Sequence, residues 1–119
     1  MGDIHGMIDY ISQLPGVDKE RIGAFGICGG GGYTVGAAQS DKRIKAVATL
    51  SMFNTGRVRR NGYYDSRYMT EEAMEKATGT QEKEMFVVPG ASHIKTYYEP
   101  TFVEQERAKV VAFFDKYLK

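Results

Sequence analysis

Residues 21–39 read RIGAFGICGGGGYTVGAAQ. An apolar run leads into Cys28, the single cysteine of the chain, and four consecutive glycines follow it. Such glycines serve as a phosphate cradle, a flexible linker, or a sharp turn that displays the thiol. A phosphate loop needs Gly-x-x-x-x-Gly-Lys-Ser/Thr, whose lysine and hydroxyl meet the phosphates and magnesium. Counting from Gly26 reaches Gly31, but Gly32 and Tyr33 follow and no lysine stands there. The dinucleotide pattern Gly-x-Gly-x-x-Gly is also absent from the stretch. Apolar patterns on both sides argue against a linker. What fits is Gly26-Ile27-Cys28-Gly29-Gly30, a Gly-x-Cys-x-Gly nucleophile elbow with Cys where Ser is commoner.

That turn joins a strand to a helix in a strained backbone. Side chains two residues before and after the nucleophile are expected to collide, which favours glycine at both places. The N–H of Gly29 then faces a developing oxyanion. The helix N-terminus favours the thiolate, the reactive form of Cys28. The competing reading is a buried cysteine acting as a small hydrophobe. The order strand, turn, helix favours the nucleophile.

Working outward, Arg21 to Ile27 reads as a buried strand and YTVGAAQ as a short helix against a sheet. RIKAVATLSMF (Arg43 to Phe53) reads as a second buried strand. Together they form a βαβ unit, which predicts parallel pairing and a right-handed crossover. Before it, residues 3–14 place Ile4, Met7, Ile8, Ile11 and Leu14 on one helical face, ended by Pro15-Gly16. Residues 54–69 show no periodicity and read as loop. Thr70 is suited to cap a short helix with Glu71 and Glu72 in its first turn. EMFVVPG (Glu84 to Gly90) reads as a third strand, and ASHIKTYYEP as a loop. The last helix carries its stripe on Val103, Val110, Val111, Phe114 and Leu118. The expected fold is α/β: a small three-layer sandwich with a short parallel sheet of about three strands flanked by helices.

Composition narrows the function classes. The 119 residues allow one domain, 42% hydrophobic and 26% charged, enough for a modest core. A formal charge of +1 argues against non-specific nucleic-acid or anionic-membrane binding. GRVRRNGYYDSRY interleaves arginines 57, 59, 60 and 67 with tyrosines 63, 64 and 68, which suits phosphates and stacked bases. No basic face extends beyond it, and a solvated loop is the better reading. No apolar run reaches membrane-spanning length and no signal pattern opens the chain. A single cysteine fits a reducing compartment. A cytoplasmic location is expected, with no nucleic acid and no membrane among the partners. His5, His93 and Cys28 lack metal-ligand spacing, so neither a metal nor another cofactor is expected.

A nucleophilic cysteine needs a base. His93 follows the third expected strand, whereas His5 reads as an ordinary helix-face histidine. For the acid that orients the base, Asp65 lies between nucleophile and histidine in chain order. A turn aspartate is its competing reading. Glu71 and Glu72 are substitutes, and Asp41 reads as a turn residue.

ERIGAFGICGGGGYTVGAA, RIKAVATLSMF and EMFVVPGASHIKTYY…VVAFFDKYL together resemble bacterial α/β-hydrolases of the dienelactone-hydrolase-like group. In that group Cys can replace Ser and Gly-x-Cys-x-Gly-Gly is the elbow. The resemblance implies Cys28 as nucleophile, His93 as general base, Asp65 as acid and Gly29 as oxyanion donor. It matches the C-terminal part of the family fold and implies one truncated domain over 1–119. Residues 1–53 form the nucleophile part, 54–69 a loop, and 70–119 the acid and histidine part. The family's earlier strands and second oxyanion N–H have no counterpart. A cap region and a core strand are also missing between Arg60 and Asp65. The implied reaction is hydrolysis of an ester, lactone or thioester through a thioester acyl-enzyme. A sheet this small exposes faces and edges, so either a homo-oligomer or marginal stability is expected. The alternative is a catalytically impaired remnant that serves as an oligomerising or binding module.

Overall fold

The computed structural model describes residues 2–53, 55–61, 82 and 84–119. Helix α1 (Gly2–Ile11) precedes strand β1 (Ile22–Ile27), helix α2 (Gly29–Ser40) and strand β2 (Ile44–Leu50). Helix α3 (Thr55–Asn61), a single 3-10 turn (Lys95–Tyr97) and helix α4 (Pro100–Tyr117) follow. The strands pair in parallel, as a βαβ unit requires. Pairing starts at Ile22 with Ile44, then shifts so that Gly23 meets Ala46. Lys45 is the extra residue of this irregularity and stays exposed.

The shift decides which residues share a face. Ile22, Ile44, Ala24 and Val47 pack with Ile8 and Ala37, from α1 and α2, in the core cluster. Gly23 lies against α4: a Cβ there would stand 2.8 Å from the Phe114 ring and 2.9 Å from Leu118. Glycine at 23 therefore lets the last helix approach the sheet. The three layers are α1 with α2, the sheet, and α4, a small α/β sandwich. The second interface is loosely filled. Phe25 and Ile27 keep 45% and 46% of their surface in solvent. A cavity of about 1060 Å³ opens beside them, lined by β2, α4 and the Glu84–Val88 run.

Three expectations change. The Glu84–Val88 run joins no ladder, and the described sheet has two strands. An apolar run becomes a strand only beside a partner. This one is tied to α4 instead, through Lys116 Nζ to Glu84 (2.9 Å) and Lys109 over the Phe86 ring (5.1 Å). Part of the expected loop, Thr55–Asn61, is helical, with Arg59 and Arg60 in its last turn, where cations suit the helix dipole. In the last helix Glu106 is buried, whereas Val103 and Val111 are 38% and 45% exposed. The Thr70 helix, Asp65, Glu71 and Glu72 lie outside the described residues.

Asp41 caps the C-terminus of α2 and ties that end to α1. Its carboxylate, 6% exposed, accepts bonds from Arg43 Nε (2.8 Å) and Nη2 (2.6 Å) and meets His5 Nδ1 at 3.1 Å. The Arg43 guanidinium first, then His5, holds this carboxyl well below the usual carboxylate range. A depressed folded pKa stabilises above the unfolded value, about 4, and that stability is lost as pH falls through the folded value. Asp41→Asn is expected to lower the urea midpoint at neutral pH and flatten its decline below about pH 4. An unchanged acid arm in the variant would contradict this role.

Candidate active site

Cys28 is the residue between β1 and α2, with φ 56° and ψ −129°. This left-handed conformation is costly for a residue with a Cβ and persists only where neighbours enforce it. Two backbone bonds do so: Cys28 N–H donates to Leu50 O (2.9 Å) and Gly31 N–H donates to Cys28 O (3.0 Å). The first ties the elbow to the end of β2. The thiol makes no capping bond to α2 and is half-buried.

The glycines around the elbow have unequal reasons. A Cβ on Gly26 would stand 2.6 Å from Gly31 Cα and 2.6 Å from Thr34 Oγ1. One on Gly31 would stand 2.5 Å from Met52 Cβ. Gly30, expected to be the crowded position after the nucleophile, has nothing within 4 Å of such an atom. The reason is helical: α2 begins at Gly29, and its third residue, Gly31, turns back onto β1. Gly29 opens that helix, where N–H groups lack intrahelical partners.

His93 meets the elbow. Cys28 Sγ lies 3.6 Å from His93 Nε2, within hydrogen-bond reach for sulfur, across 65 residues of sequence. No strand presents this histidine; a local anchor does. Thr96, buried, donates to His93 O (2.6 Å), and its hydroxyl meets Ser51 Oγ at 3.3 Å. Ser51, just past β2, has φ 50°. The histidine is thus fixed to the strand end that also holds the elbow. His5 lies apart, on α1 against Asp41.

Two further residues were not singled out from the sequence. Tyr97 Oη bonds His93 Nε2 at 2.9 Å, and the rings meet edge to face at 5.2 Å and 82°. The signal was the i, i+4 spacing, which puts two side chains on one face of a helical turn. Glu106 lines the cavity, where burial pushes its carboxyl up, and its Oε1 has no hydrogen-bond partner among the described residues. The same cavity reaches Tyr97, Leu50 and Ile27 near the elbow.

A thiol on a strained strand–helix turn, facing an imidazole, is an arrangement for nucleophilic chemistry. The model of the acetyl xylan esterase (AXE1) family, of the α/β-hydrolase type, matches residues 1–62, more than half the chain. The chain belongs to that family. The match includes the elbow and Gly29; His93 lies beyond it. Among similar proteins, the uncharacterized protein YcjY of Escherichia coli is 54% identical over 61 residues, covering 51% of this chain and 20% of its own. The uncharacterized protein PA2218 of Pseudomonas aeruginosa is 50% identical over 64 residues, covering 54% of this chain and 17% of its own. The crystal structure of hypothetical protein PA2218 superposes with a TM-score of 0.52 at 46% identity, over 62% of this chain and 22% of that one. The chain thus spans about a fifth of the length of the relatives it matches. No helix among the described residues is long and apolar enough to cross a membrane.

Proposed function

We propose that this chain is an ester hydrolase with Cys28 as nucleophile and His93 as general base. The observation that carries the reading is the 3.6 Å approach of Sγ to Nε2 at an elbow with φ 56°. Family membership supplies the ester as substrate class. The narrower dienelactone-hydrolase-like reading, with lactones among the substrates, rests on the resemblance of residues 20–38, 43–53, 84–98 and 110–118, and Asp65 as acid rests on its place between nucleophile and histidine in chain order. A cytoplasmic location and a homo-oligomer belong to the same proposal.

In the reaction the thiol proton passes to Nε2 as Sγ bonds to the ester carbonyl carbon. The oxyanion takes the N–H of Gly29 and the field of α2. The carbon–oxygen bond to the alcohol breaks, and the leaving oxygen takes the proton from Nε2. Water then attacks the thioester, giving its proton to Nε2, and Cys28 leaves as the thiol with that proton. The cavity beside Ile27, Leu50 and Tyr97 has room for the apolar part of an ester.

A binding or oligomerising remnant is the second reading, favoured by Met85, Phe86 and Val87, which are 42%, 43% and 71% exposed. Hydrolysis of p-nitrophenyl acetate by the parent and Cys28→Ala chains separates the two. The enzyme reading expects turnover that vanishes with the thiol; equal rates favour the remnant.

A further inference from the structure

We propose that Tyr97 is a positioning residue whose hydroxyl competes with the Cys28 thiol for His93 Nε2 and so sets the pH at which the thiol becomes reactive. The inference rests on the same Cys28–His93 pair as the reading above. Both groups reach one nitrogen: Oη at 2.9 Å and Sγ at 3.6 Å. An imidazole nitrogen offers one lone pair or one hydrogen, so it serves one full hydrogen bond at a time. The shorter contact belongs to the tyrosine.

The chemistry fixes the direction of the effect. A phenol O–H donates to the lone pair of neutral imidazole. A hydrogen bond to the neutral form disfavours the charged form. Tyr97 therefore favours thiol with imidazole over thiolate with imidazolium, and restrains Cys28 until the hydroxyl yields. The main chain of the turn that carries both rings is fixed by Tyr97 N–H on Ile94 O (3.0 Å) and the Thr96 hydroxyl on His93 O (2.6 Å). Among the described residues, the titratable groups that contact the His93 ring are Cys28, from the β1–α2 turn, and Tyr97, from its own turn.

Because Cys28 is the single cysteine, its iodoacetamide alkylation rate reads the thiolate across pH without a competing signal. Tyr97→Phe keeps the ring and removes the donor. It is expected to move the alkylation midpoint down by about 0.4–1 pH unit, the roughly 2–10-fold worth of one neutral hydrogen bond. In a His93→Ala background the same change is expected to do nothing. Ortho-fluorotyrosine at position 97 alone, a stronger donor of nearly the same size, is expected to move the midpoint up. No shift, an upward shift in Tyr97→Phe, or an equal shift without His93 would overturn the assignment. Alkylation needs no ester turnover. A correct shift in a chain that cleaves no ester upholds Tyr97 and removes the hydrolase reading alone.

Discussion

Cys28→Ala is expected to return hydrolysis of an activated acetyl ester to the uncatalysed rate, a loss of at least about 10²-fold, the low end for general-base catalysis. The size of the effect follows from the order of events. Without Sγ no acyl-enzyme forms, and His93 retains no nucleophile to deprotonate at the elbow. Alanine leaves the backbone bonds of Cys28 to Leu50 and Gly31 in place. A thermal midpoint close to that of the parent is therefore expected, which separates loss of chemistry from loss of fold. Parent-like turnover in Cys28→Ala would remove the thiol from the mechanism.

The second large effect is on stability. Gly26→Ala places a methyl 2.6 Å from a backbone atom of α2, closer than van der Waals contact allows. Neither partner is a flexible side-chain end: Gly31 Cα is main chain, and Thr34 Oγ1 is held by its bond to Gly30 O (2.8 Å). The helix must lift from the strand at the point where the elbow is built. Overpacking of this kind costs about 1–3 kcal/mol or more, and roughly 4–8 °C of thermal midpoint per kcal/mol for a domain near this size. Gly30→Ala is the contrast. With open space around the new atom, it removes a helical glycine and is expected to be neutral or stabilising by up to about 1 kcal/mol. Equal destabilisation at positions 26 and 30 would contradict the packing described.

These two glycines also show where the sequence was legible. The elbow motif marks positions at a fixed spacing from the nucleophile. The collision depends on which residue of the first helical turn faces the strand, and that is Gly31. The strand, turn and helix around Cys28 were readable because each is local: an apolar run, a glycine-framed cysteine and a compact helix. The βαβ pairing followed from that order. The run at 84–88 was apolar enough for a strand, but pairing is a property of two segments, and its charges bind it to α4. The seven residues of α3 are too few to display a period. His93 was legible from chain order and from its place after an expected strand, although that strand does not form. Its anchor, Thr96 against Ser51, joins residues 45 apart and leaves no local trace. Tyr97 had a visible spacing to His93, yet its meaning depends on the thiol arriving at the same nitrogen. Asp65 lies outside the described residues, and its proposed role as acid rests on sequence.

The most direct measurement follows the acetyl group itself. The parent chain is mixed with p-nitrophenyl acetate, quenched over the time of a few turnovers, and analysed by peptide mass spectrometry. The expected result is one acetyl group on the Cys28 peptide that accumulates before steady state and is lost at the turnover rate. Turnover with no acetyl on Cys28, or an acetyl that outlasts turnover there, would contradict the account.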